Sequence, residues 1–440
     1  MTANLKALPT LRFRGRPIFY GWAVVAAAFI SDFLSYGIGT VAFTVFFNPM
    51  SASLGWSRGL LSSAIVLNRL VEAVATPLLG PIVDRRGPQA VMVLGAATLS
   101  GGTFTLGLVE APWQFYAAYG LVMAVGMTGL GSMVSHTVVS KWFVQYRGRA
   151  LSAVTMGYSL AGIILPLPAT FLILTFGWRT AWMVLGLVIL ALGLLAAAAS
   201  RRQPEDHGLH PDGFLAEAIG AKDSTAFSSP ALAKDERWFT ARQAARTSAF
   251  WLLVVGSNLG IMALYGINIH LVPFLNDQGY SPASAATIFT VLYSMQFLAK
   301  PLWGFISERL HVRYCAAICY FGGGLGLALL MALPTLAGIA LFTAIYGLTR
   351  GAQSLVISLA WADYFGRTSL GAIRGLSAPF GLAASAAGPV VAGVLFDVVG
   401  SYQIAFAVFV VAFWAGAALV FLAQPPKTPD RQPQVAKEVA

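Results

Sequence analysis

Apolar residues run through this chain in long blocks, broken at short intervals by charged or glycine-rich turns. A helix that crosses a bilayer needs roughly 20 consecutive apolar residues, and the blocks have that length. Reading each block against its polar breaks predicts twelve spans: 18–47, 59–83, 89–109, 112–139, 150–175, 179–199, 247–274, 281–307, 314–332, 336–361, 375–398 and 402–423. The first is long enough to include a turn at its outer end. The longest interruption is the polar segment 200–246. Four units follow: a six-helix half 1–199, a linker loop 200–246, a second six-helix half 247–423 and a tail 424–440.

Composition agrees with burial in lipid. Of 440 residues, 57% are hydrophobic and 10% charged, whereas soluble chains carry about a quarter charged residues. So few charges cannot cover a surface in water. The net charge of +11 suggests a nucleic-acid partner until the positions are read. The basic residues sit in short clusters between apolar blocks, which excludes a nucleic-acid surface and fits the rule that basic loops stay on the cytoplasmic side. With both termini and the loops after even-numbered spans on one side, that side holds 23 Lys and Arg and the other holds Arg58 and Arg179. The expectation is a multi-pass inner-membrane protein with both termini cytoplasmic.

Several signals are read as structural. The basic start, Lys6 to Arg16, resembles a signal peptide, but the apolar run continues to Phe47 without a cleavage site, so it is read as an uncleaved first span. Cys315 and Cys319 lie inside an apolar block and are expected to pack, with no disulfide or metal role. Gly322-Gly323-Gly324 lacks a phosphate-loop context and is read as helix-packing glycine. No metalloprotease, nucleophile-elbow, nucleotide or dinucleotide signature is present, so no enzyme activity, cofactor or metal is expected.

The chain repeats itself. Pro77-Leu78-Leu79-Gly80-Pro81-Ile82-Val83-Asp84-Arg85 matches Pro301-Leu302-Trp303-Gly304-Phe305-Ile306-Ser307-Glu308-Arg309, each at the end of an even-numbered span. Arg149-Ala150-Leu151-Ser152 echoes Arg374-Gly375-Leu376-Ser377. Two six-helix halves in the same orientation put a substrate path between them, near the bilayer midplane.

Gly80, Asp84, Arg85, Arg86 and Gly87 form a loop that resembles the G-x-x-x-D-R-x-G signature of the major facilitator superfamily. The resemblance implies an all-α membrane fold of twelve helices in two pseudo-symmetric halves, with this loop as a gate. Tyr20-Gly21-Trp22, Ala299-Lys300-Pro301, Phe396-Asp397 and the entry Arg242 to Thr247 resemble the bacterial monocarboxylate transporter and oxalate/formate antiporter group. Three positions differ from that group: the first-span lysine position is apolar, near Val41, the eighth-span acid is Gln296, and the eighth-span arginine is Lys300.

Charges inside spans are costly, by about 2.5–3.5 kcal/mol on insertion scales, and face a cavity or a partner. Arg69 and Glu72 share one helix face as an ion pair or an anion site. Arg350, beside Gly347 and Gly351, has no acid within a turn and offers a bidentate fork to a carboxylate. Lys300 either snorkels or contacts substrate. Asp32 is a proton carrier or a partner of Arg69 or Arg350. Tyr36, Tyr265, Asn268 and Gln296 are candidate cavity groups, and His136 is read chiefly as packing.

These signals lead to a secondary transporter of a small organic anion, a monocarboxylate first, by alternating access with proton symport or anion exchange. The expected partners are that anion, a proton and the lipid bilayer, with a monomer as the working unit. Export of a drug-like or neutral solute, with Arg350 and Lys300 structural, and a membrane sensor that binds without translocating are the alternatives.

Overall fold

The computed structural model describes residues 11–13, 16–213, 239–333 and 335–427. Lys6, Arg14, most of the linker and the tail beyond 427 lie outside the described residues. A short antiparallel hairpin, Leu11–Phe13 with Arg16–Ile18, precedes the first helix. The rest of the described chain is helices and their connections, and the helices group into twelve rods.

In the first half, rod 1 runs Gly21–Tyr36, through a π-helical stretch Gly37–Ala42, into Phe43–Leu54. Rod 2 is Arg58–Arg86 and rod 3 is Gln89–Leu106. Rod 4 starts at Pro112 and breaks at Gly131 before its last segment, Ser132–Trp142. Rod 5 begins with Arg147–Ile164, and rod 6 ends at Ala199. Gly177, at a φ of 81° that favours glycine, separates them. In the second half, rods 7 to 12 are Ser248–Asp277, Pro282–Ile306, Val312–Ala332, Leu336–Phe365, Leu370–Val399 and Gln403–Leu422.

Polar side chains supply the bonds that these breaks and ends need. Ser57, Ser281 and Thr335 cap rods 2, 8 and 10 by accepting from backbone N–H groups in the first turn. Ser31 donates to the Leu130 carbonyl at 2.6 Å, beside the break in rod 4, and Ser35 donates to the Met127 carbonyl at 2.9 Å. The short helix Ala241–Ala245 carries a capping box from Thr240 and Gln243.

The halves meet at the end of the molecule that carries Arg85, Arg149, Arg309 and Arg367, here called the basic end. Glycine permits the approach. A Cβ on Gly80 would lie 2.7 Å from the Gly371 carbonyl carbon, so rods 2 and 11 touch backbone to backbone. A Cβ on Gly304 would lie 2.7 Å from Ser152 Cβ and 3.0 Å from the Gly148 oxygen, joining rods 8 and 5 in the equivalent way. The repeat read in the sequence is therefore also a repeat of contacts. Gly322, Gly323 and Gly324 pack rod 9 against Thr349, Phe413 and Trp414.

Two expected boundaries shift by five residues or more, and the first is the far end of rod 1, which runs on to Leu54 beyond 47. Rod 11 begins at Leu370, not at 375, because its first turn is completed from the opposite half: the Asp84 carboxylate accepts from Ala372 N at 2.9 Å. Arg374 is consequently inside the rod and not in a loop.

Candidate functional site

A cavity of about 540 Å³ lies between the halves. All six residues expected to touch substrate line it: Tyr36, Arg69, Asn268, Gln296, Lys300 and Arg350. Glu72, Tyr265, His136 and Arg374 line it as well. Its wall thus carries four cationic side chains, Arg69, Lys300, Arg350 and Arg374, against the single carboxylate of Glu72.

The four cations are held differently. Arg69 forms the expected pair with Glu72, at 2.7 Å along one helix face. Lys300 is buried and donates to the Thr155 carbonyl and to Ser159 Oγ, the latter at 2.8 Å, so it bridges rods 8 and 5. The Arg350 guanidinium stands over the Tyr293 ring at 5.2 Å and near the Tyr346 ring at 5.9 Å, as cation–π contacts do. Its Nη1 is buried without a hydrogen-bond partner, as are Arg374 Nη1, Gln296 Nε2 and the acceptor Asn268 Oδ1. Buried donors left unsatisfied are costly. Three of them face one cavity, where an acceptor-rich, negatively charged group would satisfy them.

Asp32 does not pair with Arg69 or Arg350. It is fully buried behind the cavity wall, where Oδ1 accepts from Ser135 Oγ at 2.6 Å and Oδ2 faces His136 Nε2 at 3.0 Å. Rod 1 packs against the last segment of rod 4, which puts the carboxylate within reach of these short side chains and away from the arginines. His136 is more than packing. Its Nδ1 meets Ser358 Oγ of rod 10 at 2.9 Å, so the ring joins the two halves. No local signal reveals this contact, since His136 and Ser358 are 222 residues apart. For Arg374 the signal was its echo of Arg149, which already tied it to a helix start.

The loop residues divide. Asp84 is engaged on both oxygens, by Lys141 Nζ at 2.8 Å and by Ala372 N. Gly80 provides the backbone contact with Gly371, and Gly87, at a φ of 86°, turns the chain against Arg202. Arg85 and Arg86 are exposed; Arg85 contributes its carbonyl, which accepts from Arg202 at 2.9 Å. Further bonds seal the same end. Arg147 pairs with Asp363 at 2.6 Å, Arg149 with Glu308 at 2.8 Å, and Arg367 donates to the Lys141 carbonyl at 2.8 Å. Asp212, at the start of the linker, accepts from the backbone N–H groups of Val144, Gln145 and Tyr146 and fixes the turn before rod 5.

Two pseudo-symmetric helical halves around a cavity that carries charged residues, closed by helix-end contacts at one end, have the architecture of a membrane transporter. The sequence profile described as Major Facilitator Superfamily matches residues 24–295 and 253–439. The chain belongs to the Major Facilitator Superfamily.

Among curated relatives, the chain is 27% identical to the oxalate:formate antiporter of Oxalobacter formigenes over 306 residues, which is 68% of this chain and 65% of that protein. It is 24% identical to monocarboxylate transporter 2 of Homo sapiens over 401 residues, or 87% of this chain and 81% of that one. Among solved structures, the human organic anion transporter MFSD10 superposes with a TM-score of 0.68 at 16% identity, covering 91% of this chain and 99% of that one. The proton:xylose symporter XylE superposes at 0.66 and 16% identity, covering 92% and 94%. At these identities the structural likeness speaks for the fold.

Proposed function

We propose that this protein is a secondary active transporter of a small organic anion, a monocarboxylate first, moved between the halves by alternating access with proton symport or anion exchange. The observation that carries the reading is the set of buried, unpartnered donors on the cavity: Arg350 Nη1, Arg374 Nη1 and Gln296 Nε2. A carboxylate has two oxygens and about four lone-pair sites, which suits this set. Arginine holds such a group through two parallel bonds. The relatives' names, an oxalate:formate antiporter and monocarboxylate transporters, agree with that chemistry.

In this reading residues 1–199 and 247–423 are the moving halves, with both termini and the basic end cytoplasmic and the membrane the cell inner membrane. The cavity then faces the side opposite the basic end, and transport requires the Asp84 and Glu308 contacts to part. The test is a calorimetric and thermal-shift screen of the purified full-length chain against formate, L-lactate and oxalate. Each positive probe is then followed into proteoliposomes loaded with the unlabelled anion, or carrying a proton gradient. Saturable binding and gradient- or exchange-driven uptake of at least one probe is expected. Binding and uptake that fail for every carboxylate and succeed for a neutral solute would overturn the assignment.

A further inference from the structure

Asp32, Ser135, His136 and Ser358 form a buried chain that the anion site does not need. It rests on rods 1, 4 and 10 and so crosses from one half to the other. Accounting for its hydrogens shows two states with the same heavy-atom positions. Ser358 Oγ has one proton and two neighbours, His136 Nδ1 at 2.9 Å and the Ser354 carbonyl at 2.8 Å.

When Ser358 donates to Ser354, it accepts from Nδ1. The ring then donates at Nδ1 and shares a proton with Asp32 through Nε2, so the pair as a whole is neutral. When Ser358 instead donates to Nδ1, the ring is neutral and donates from Nε2 to the ionised Asp32. The pair then carries one negative charge. One proton taken from cavity water, plus a turn of one hydroxyl, converts the second state into the first.

The charges around this pair make that proton consequential. Arg374 of rod 11 and Lys300 of rod 8 line the same cavity as His136, so their charges act on the pair. From rod 5, the Tyr158 hydroxyl hydrogen-bonds with Asp32, its ring lies 6.4 Å from the His136 ring, and Tyr36 of rod 1 packs on it. Rod 10 contributes Ser358 in contact and Arg350 on the same cavity, and rod 2 presents the Arg69–Glu72 pair. An ionised pair competes with any carboxylate for Lys300 and Arg374. A neutral pair leaves both cations to the cavity.

We propose that Asp32 and His136 together are the proton-binding site of this transporter, and that protonation there prepares Lys300 and Arg374 for an anion. Ser358 carries the protonation state into the second half. The proposal rests on the organic-anion reading and selects proton symport within it. Linkage is reciprocal: the proton favours the anion, and the anion draws in the proton.

The test is anion binding by calorimetry in two buffers of different ionisation enthalpy, with formate, L-lactate and oxalate as probes. In the unmodified protein, binding takes up close to one proton per anion once the pair is ionised, and affinity falls about tenfold per pH unit there. Asp32→Asn removes both the uptake and the slope. His136→Gln is read in the same way if Asp32→Asn does not fold. Binding without proton uptake in the unmodified protein, or unchanged uptake in either variant, overturns the proton site and leaves the anion reading standing. Absence of binding for all three probes overturns the anion reading and the proton site with it.

Discussion

Asp84 and Glu308 occupy equivalent places in the two internal repeats, and each accepts a hydrogen bond from the first turn of a helix in the opposite half. Asp84 Oδ2 meets Ala372 N at 2.9 Å, and Glu308 Oε1 meets Arg149 N at 3.1 Å. Each carboxylate also holds a cation at 2.8 Å, Lys141 for Asp84 and Arg149 for Glu308. A negative charge at a helix N-terminus is stabilised by the helix dipole and by otherwise unpaired N–H groups. The two carboxylates thus tie the halves together at two latch points.

The two latch points differ in strength. The Asp84 and Lys141 side chains are 7% and 4% exposed, whereas Arg149 is 48% exposed. Asp84→Asn strands the Lys141 ammonium, and losing one partner of a buried pair costs about 3–5 kcal/mol. Exposed pairs are worth about 0–1 kcal/mol. Asp84→Asn is therefore expected to open the basic end far more often than Glu308→Gln. The measurement is the labelling rate of a cysteine introduced at Ser152, which is buried in the seal, in a Cys315→Ser, Cys319→Ser background. Equal rates in the two variants would contradict the ranking.

Bulk at the glycine contacts acts on the same equilibrium from the steric side. A side chain on Gly80 meets backbone atoms of Gly371, which cannot move aside as a flexible side chain would. Gly80→Val and Gly304→Val are expected to keep the basic end from closing and to stop transport while the chain still folds and inserts. Faster labelling at position 152, with a monodisperse purified protein, is the expected result. Wild-type uptake in both variants would show that the halves do not need this approach.

For the anion site, Arg350→Lys retains charge and loses the fork, so carboxylate affinity is expected to fall; Arg350→Gln is expected to abolish measurable binding. Loss of a buried charged hydrogen bond costs about 2–5 kcal/mol, or roughly 30- to several-thousand-fold in affinity. Arg374→Gln is expected to fall in the same range, and Lys300→Arg to retain binding. Titration calorimetry with the probe selected by the screen reads these variants and Lys300→Gln. Wild-type affinity in both Arg350→Gln and Lys300→Gln would count against the anion site.

Topology follows from charge. Reporter fusions at Ala221 and Ala440 are expected to report the cytoplasm at both positions, because the basic residues gather on that face. Several of these residues, Arg85, Lys141, Arg149 and Arg374 among them, sit in the end turns of rods at the basic end, which leaves the asymmetry intact. A periplasmic signal at either fusion would break the twelve-rod orientation.

The apolar blocks were enough to locate the rods, because a bilayer imposes length and composition on each helix independently of its neighbours. The repeat around Asp84 and Glu308 was legible for a related reason, since both copies need the same residues at the same helix end. In-span charges pointed to Arg69, Lys300 and Arg350, which all line the cavity, because lipid penalises any charge that has no polar side to face.

The partners of those charges were decided by tertiary structure. The start of rod 11 depends on a carboxylate 288 residues away, so the sequence around Ser369 could not place Arg374 inside the helix. Asp32 was open between several partners because its spacing from each arginine says nothing about azimuth across different rods. Only the packing of rods 1, 4 and 10 assigns it to His136, and His136 to Ser358. Insertion is a property of each segment and can be read in one dimension, whereas a hydrogen bond between halves requires the position of both.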